Sequence, residues 1–106
     1  MRVAVPSSGR TLESSINPRF GRSPYYLIVD TETMRHEVFY NTRLSAPGGV
    51  EAAHLLVGED IDVVLAGALG PNSSEVLSRA GIKIIKGVKG AVKESIEAYK
   101  KKGCIV

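Results

Sequence analysis

The chain has 106 residues, 43% hydrophobic and 24% charged, which predicts one globular domain over residues 1–106 with a single core. The net charge of +3 is mild, and the only dense basic run is at residues 100–102, a predicted helix end where the dipole favours cations. We therefore expect no nucleic-acid partner. A single cysteine, Cys104, excludes an internal disulfide, and short apolar runs with no signal segment predict a cytoplasmic protein with no membrane partner.

The first half of the chain predicts three strands and two loops. Residues 2–5 are rich in β-branched side chains, and a proline follows them. Residues 25–30 are largely apolar, as in a central strand, and residues 36–41 alternate as in a hairpin partner. Residues 7–23 are rich in Ser, Gly, Pro and Arg without a regular period, and residues 42–49 contain a Pro-Gly-Gly breaker. Both segments are predicted loops.

The second half alternates helices and strands. The predicted elements are a helix over residues 50–57 ended by Gly58, a strand over 62–66, a helix capped by Asn72 or Ser73 and ended by Gly81, a strand over 82–85, and a helix over 91–102. Strand–helix–strand alternation requires parallel strands with right-handed crossovers. The order βββαβαβα therefore predicts a three-layer α/β fold, with a mixed five-stranded sheet and helices on both faces.

Three predicted loops follow the carboxyl ends of strands, the side of an open α/β sheet where ligands bind. We expect these loops on one edge of the sheet. Two of them lead into helix N-termini, which favour anions, and glycine lets a ligand approach the backbone. Each loop alone is better explained by turn chemistry, but their convergence indicates a site. The candidate binding residues in these loops are Ser8, Gly9, Arg10, Gly67, Gly70 and Asn72.

The long loop after the first strand adds cationic candidates. It carries Arg10, Arg19 and Arg22 against a single acid, Glu13. Arginine offers a rigid, permanently charged fork for anionic groups. Structureless loops longer than about 12–15 residues are usually functional or disordered. We expect Phe20 to anchor the loop to the core, while Arg19 and Arg22 either face a ligand or form a solvated surface.

Known catalytic motifs are missing from the sequence. It contains no P-loop, no Gly-x-Gly-x-x-Gly fingerprint, no Cys-x-x-Cys pair and no nucleophile elbow. The predicted topology is similar to that of ribonuclease H-like folds, whose nucleases need carboxylates on the first strand. The first strand here reads Val-Ala-Val. We therefore expect a protein that is not an enzyme.

The metal-ligand candidates are His54 and Cys104. His54 is on the predicted apolar stripe of its helix, with Ala53 and Val57, which favours a part-buried structural histidine over a ligand. Cys104 follows the last helix and is either one ligand of a shared cluster or an inert thiol. His36 opens an exposed strand and is expected at the surface.

Four segments carry a family resemblance. Residues 3–6 match a first strand, residues 19–30 (beginning Arg-Phe-Gly-Arg-Ser-Pro-Tyr) a Phe-Gly-Arg-Ala-x-Tyr/Phe signature, residues 67–72 a Gly-Gly-hydrophobic-Gly-Pro turn, and residues 80–90 a closing region. In this order they resemble the dinitrogenase iron–molybdenum cofactor biosynthesis family, which includes NifX and the C-terminal domain of NifB. The resemblance covers essentially the whole chain.

The resemblance implies a ribonuclease H-like fold without nuclease chemistry. It implies a non-enzymatic carrier of the iron–molybdenum cofactor or an iron–sulfur cluster precursor, with cluster donor and acceptor proteins as partners. Arg19 and Arg22, with backbone donors near Ser8 and Gly67, would hold the anionic cluster. Many family members have histidine where this chain has Arg19. Electrostatic cluster binding, a small-anion regulatory module and an interaction domain without a cluster therefore stay open.

Overall fold

The fold is taken from a computed structural model, which describes residues 1–41 and 50–102. The predicted loop at residues 42–49 and Cys104 lie outside the described residues. The elements are β1 (Arg2–Ser7), a 3-10 turn (Phe20–Arg22), β2 (Tyr25–Asp30), β3 (His36–Tyr40), α1 (Val50–Val57), β4 (Val63–Leu65), α2 (Pro71–Arg79), β5 (Lys83–Ile85) and α3 (Val92–Lys102). None of the helices in the described ranges has the length and apolar character needed to span a bilayer.

The strands form one mixed sheet in the order β3-β2-β1-β4-β5. β2 pairs antiparallel with both β1 and β3, whereas β4 pairs parallel with β1 and β5. The predicted mixed five-stranded sheet is thus confirmed. The apolar run of β2 is explained by its place between two other strands, where both faces are covered.

Helices cover both faces of the sheet, which confirms the three layers. Alternation along β1 sends Ala4 to one face, and Val3 and Val5 to the other. The first face packs against α1 and α2, where Leu56 and Leu77 are fully buried. The second face packs against the α3 stripe, which consists of Val92, Ile96 and Tyr99 as predicted.

Strand β1 extends past Pro6, where the sequence predicted its end. β4 pairs with β1 only through Val3 and Ala4, so Pro6 lies beyond that ladder. Its missing N–H therefore leaves no bond to β4 unmade. The Pro6 carbonyl accepts a hydrogen bond of 2.9 Å from the Asn17 N–H, which ties the following loop to the strand.

Helix α2 begins earlier than predicted. Gly70 is the N-cap residue and Pro71 occupies the first helical position, so the prediction of Asn72 or Ser73 as the cap is wrong. Proline is favoured at this position because its φ is already helical, and an N–H there would have no partner within the helix. The predicted end is confirmed, since Gly81 follows the helix with φ of +80°.

Helix α1 has the predicted bounds, but its buried face was misassigned. Ala52, Ala53 and Leu56 are buried, whereas His54 and Val57 are exposed. The expectation of a part-buried His54 is therefore wrong. The helix has apolar residues on all sides, so helical spacing could not define one stripe.

Two neighbouring leucines of α1 test this orientation. Leu56→Ala should lower the free energy of unfolding by about 2–5 kcal/mol, because it leaves a cavity at a fully buried position. Leu55→Ala, at a side chain that is 41% exposed, should change it by about 0.5 kcal/mol or less. Urea denaturation of both variants measures the difference, and equal losses would contradict the assigned face.

Candidate functional site

The three glycine-containing loops meet at one edge of the sheet, as predicted. The Ala68 N–H donates to the Pro18 carbonyl at 3.0 Å, and the Phe20 N–H donates to the Ala68 carbonyl at 3.1 Å. The Gly87 N–H donates to the Gly67 carbonyl at 3.0 Å. The loops that follow β1, β4 and β5 are therefore joined through their backbones.

The first part of the long loop has a structural role. Residues 8–15 fold back on themselves, with the Ser8 N–H donating to the Ser15 carbonyl at 2.9 Å. Leu12 packs against the core on the α3 side of the sheet. The Ile16 N–H then donates to the Gly90 carbonyl at 2.8 Å, next to the start of α3. This part of the loop covers apolar surface and closes the fold.

The expected backbone donors at Ser8 and Gly9 are not free. Ser8 donates to Ser15, and the Gly9 N–H donates to the Ser7 Oγ at 3.2 Å. The Ser7 Oγ in turn donates to the Gly9 carbonyl at 2.7 Å. A ligand would have to break these contacts to use either amide, so neither amide is a free donor.

Arg10 lies apart from the other loop arginines. Its guanidinium is 3.5 Å from the Tyr40 hydroxyl, and its carbonyl is 3.1 Å from the His36 Nε2. Both contacts are on β3, which forms one edge of the sheet. Arg19 instead bridges to Ala68, just after β4, and strands β2 and β1 separate the two places. The fold therefore groups Arg10 with β3 and Arg19 with the turn after β4.

A buried anchor fixes the residues Arg19–Arg22. Phe20 is 1% exposed and its ring lies 5.2 Å from that of Tyr26. The Tyr26 hydroxyl donates to the Phe20 carbonyl, and the Asn41 Nδ2 donates to the Tyr26 Oη at 3.2 Å and to the Ser23 carbonyl at 3.0 Å. Burial raises the pKa of Tyr26, so the hydroxyl keeps its proton for this bond.

The anchor leaves two arginines at the surface. Arg19 and Arg22 are exposed on either side of buried Phe20. The Arg19 N–H is held by the Asn17 Oδ1 at 3.0 Å. Neither guanidinium forms an ion pair with any residue that the structure describes. Two permanent charges on a fixed backbone are therefore available to a ligand.

The turn after β4 adds backbone donors beside these arginines. Within the described part of the chain, the amides of Leu69, Gly70 and Asn72 donate no hydrogen bond. They belong to the turn and first residues of α2, where the helix dipole favours negative charge. Gly67 lets the loops meet here, since a Cβ on it would lie 3.1 Å from the Pro18 carbonyl oxygen.

Charge is distributed unevenly between the edge of the sheet at the carboxyl ends of the parallel strands and the opposite edge, where those strands begin. The carboxyl edge carries Arg19, Arg22, Lys86 and Lys89, all exposed. Most acidic residues lie at the opposite edge, where Arg2 is 3.4 Å from one of them and 3.9 Å from another. Those at the opposite edge are Asp30, Glu32, Glu37, Glu59, Asp60 and Asp62. The candidate site therefore offers an anion a largely unopposed positive surface.

The donors at this site suit an anion better than a bare metal ion. No group of three or more His, Cys, Asp or Glu residues among those described is placed to hold a metal. His54 is exposed on α1, and Cys104 lies outside the described residues. Guanidinium and amide N–H groups donate hydrogen bonds to anionic acceptors. A metal–sulfur cluster that keeps its own sulfide ligands fits this donor set.

Sequence reasoning missed the polar part of the anchor. Phe20 was predicted to be structural, but the Tyr26 hydroxyl and Asn41 were not connected with it. The available signal was a tyrosine inside a predicted central strand, because a buried tyrosine hydroxyl usually finds a hydrogen-bond partner. Which partner it finds depends on the path of the loop, and local periodicity does not encode that path.

Gly67→Ala tests the close approach of the loops. The new methyl group would meet the Pro18 backbone, and we expect a loss of about 1–3 kcal/mol in the free energy of unfolding. Gly58→Ala is the matched control, since its nearest atom is the Leu55 carbonyl oxygen at 3.7 Å. Chemical denaturation of both variants gives the comparison. A neutral Gly67→Ala would mean that the loops are not in contact as described.

Tyr26→Phe tests the anchor through its pH dependence. Above the usual tyrosine pKa of 10.0 the unfolded chain ionises, while burial keeps Tyr26 protonated in the folded state, so the unfolding free energy should fall. The variant should lack this part of the fall, and at pH 7 it should lose about 0.5–1.5 kcal/mol with its hydrogen bonds. Urea denaturation between pH 7 and alkaline pH measures both, and parallel pH profiles would refute the buried hydroxyl.

Comparison with known proteins supports this fold. Residues 1–102 match a family model described as dinitrogenase iron-molybdenum cofactor. The apo form of the orange protein from Desulfovibrio gigas is 30% identical with a TM-score of 0.90, covering 99% of this chain and 90% of that chain. A NifB-like protein of the DUF35 family from Thermotoga is 38% identical with a TM-score of 0.82, covering 94% and 87%.

No curated protein matches the chain. The family model nevertheless spans nearly all of it, and both solved structures cover at least 94% of its length. The chain therefore belongs to the dinitrogenase iron–molybdenum cofactor family.

Proposed function

We propose that this protein is a cytoplasmic, non-enzymatic carrier of an anionic metal–sulfur cluster, either the iron–molybdenum cofactor or an iron–sulfur precursor. The cluster binds at the carboxyl edge of the sheet, between the 3-10 turn and the start of α2. One observation carries the proposal: Arg19 and Arg22 are exposed and unpaired within the described residues, on a buried anchor beside free amides. Cluster donor and acceptor proteins would be its partners.

Arginine and backbone amides can hold such a cluster without coordinating its metals. Sulfides of an anionic cluster accept hydrogen bonds from guanidinium and N–H groups, and charge-assisted bonds are about twice as strong as neutral ones. The free amides of the turn before α2 add donors with a favourable dipole. A carrier must also release its cargo, and contacts of this kind break without exchange of a metal ligand.

Arg19 gives this chain a charge where many relatives have a possible ligand. Its backbone is fixed by Asn17 on one side and by the bridge to Ala68 on the other. The side chain therefore starts from a defined position next to the turn after β4. An always-protonated guanidinium there favours an anion over direct ligation, which supports electrostatic binding of a preformed cluster.

Cluster retention tests this proposal. The purified protein is incubated anaerobically with an iron–sulfur or iron–molybdenum cluster donor and desalted, and iron, molybdenum and sulfide are measured per chain. Wild type should retain cluster, and Arg19→Ala/Arg22→Ala should retain roughly tenfold less, because charged hydrogen bonds are lost. Arg35→Ala, an exposed arginine near the other edge, is the matched control and should behave as wild type.

Two further variants separate the alternatives. Cys104→Ala should not change retention, and a loss confined to it would move the site to the end of the chain. Arg19→His should retain less cluster than wild type at pH 8, where histidine is mostly neutral; higher retention would indicate ligation instead of charge. No retention by wild type would sink the carrier proposal and leave a small-anion-binding module or an interaction domain.

A further inference from the structure

We infer that β5 and the groove beside it dock an extended, acidic segment of a partner protein, which adds to the sheet as a further strand. This surface lies beside the arginine site, and Lys86 and Lys89 add positive charge to both. The inference does not depend on what binds at Arg19 and Arg22. It rests on the direction of backbone groups at this edge, on the apolar groove, and on the charge around both.

β5 is an edge strand with outward backbone groups. The Lys83 N–H donates to the Asp62 carbonyl at 3.0 Å, and the Ile85 carbonyl accepts a bond of 2.9 Å from the residue after β4. Because backbone direction alternates along a strand, Ile84 and Lys86 direct their N–H and C=O groups away from the sheet. An added strand would pair with these groups.

An apolar groove runs beside this edge on the α3 side. Its volume is about 530 Å³, within the range of protein binding pockets. Side chains of an added strand alternate between the two faces, so every second one would point toward this groove. Its apolar walls are formed by Leu65, Ile85, Val88, Ala98 and Tyr99.

Charge selects the kind of strand that fits. Residues 83–93 contain four lysines and no acid. Lys86, Lys89 and Lys93 are exposed, and Glu94 is the one acid among the described residues that line the groove. Lysines at an edge oppose pairing with a second copy of the same strand, because like charges would face each other. An acidic segment is instead attracted to them.

The other edge of the sheet provides an internal comparison. β3 carries Glu37, which is ion-paired with Arg2 at 3.4 Å, and its flanking Arg35 is exposed. It has no comparable run of lysines. An acidic strand should therefore prefer β5 over β3, although both are edge strands of the sheet that the described residues form.

A defined peptide tests the inference. A capped six-residue peptide of alternating glutamate and valine is titrated into the full-length, isotope-labelled protein, and backbone amide shifts are followed by NMR. Shifts should be confined to residues 84–88 and the facing side of α3, and should weaken with added salt. The same peptide with lysine in place of glutamate should not bind.

Three single variants at exposed positions sharpen the test. Lys86→Glu should weaken peptide binding by roughly fivefold, because an attraction becomes a repulsion, while Arg35→Glu makes the same charge change at the other edge and should leave it unchanged. Ala98→Arg adds positive charge but fills the groove, so it should also weaken binding. Stronger binding by Ala98→Arg would contradict the proposal that the peptide occupies the groove.

Other outcomes would overturn the inference as a whole. The first is no binding at millimolar peptide and low salt. The second is a set of shifts centred on β3 or on Arg19 and Arg22. The third is a dimer of the protein without peptide, seen by sedimentation and weakened or strengthened by Lys86→Glu, because β5 would then pair with a second copy of the chain. Dispersed spectra of each variant confirm that it is folded before its affinity is interpreted.

Discussion

The geometry of the carboxyl edge depends on a two-bond contact between Ala68 and the chain around Phe20. Ala68 donates to the Pro18 carbonyl and accepts from the Phe20 N–H, so the turn after β4 and the arginine loop cannot move independently. Gly67 makes the approach possible by having no side chain. Phe20 is buried in the hydrophobic core, and this burial further stabilises the contact between the two loops. The site is therefore positioned by the core and presented to solvent.

This arrangement separates the structural part of the loop from the part proposed to bind the ligand. Phe20 and the Tyr26 hydroxyl are inside, while Arg19 and Arg22 remain outside. Guanidinium groups are able to donate hydrogen bonds and carry positive charge, but they are not metal ligands. Such a surface suits the proposed cargo, an anionic cluster that arrives and leaves with its own ligands complete. Lys86 and Lys89, which follow β5, extend the positive charge along the carboxyl edge of the sheet.

Much of the fold could be predicted because the sequence states it locally. β2 is one apolar run, and α1 ends at a glycine, so both were bounded as the structure has them. The convergence of three loops followed from the parallel strands. The buried face of α1 could not be predicted, because the helix itself carries apolar residues on several sides. The exposure of His54 depends on which of these sides packs against α2 and the sheet.

The path of the long loop was the part that sequence reasoning could not reach. No local sequence pattern shows that the Ser8 and Gly9 amides donate to nearby residues of the chain, or that Arg10 lies next to Tyr40. Those outcomes depend on Leu12 packing against the α3-side core, a tertiary contact without a sequence period. The arginines near Phe20 were easier to place, because a buried aromatic residue restricts its neighbours.

The most direct test is to locate the bound cluster on the protein. An isotope-labelled sample is titrated anaerobically with a metal–sulfur cluster, and the loss of amide signals near the paramagnetic metals is mapped by NMR. The account predicts losses centred on residues 19–22 and on Leu69, Gly70 and Asn72, with recovery at high salt. Losses centred on the end of the chain, on the groove beside β5 or on Arg10 and β3 would contradict it.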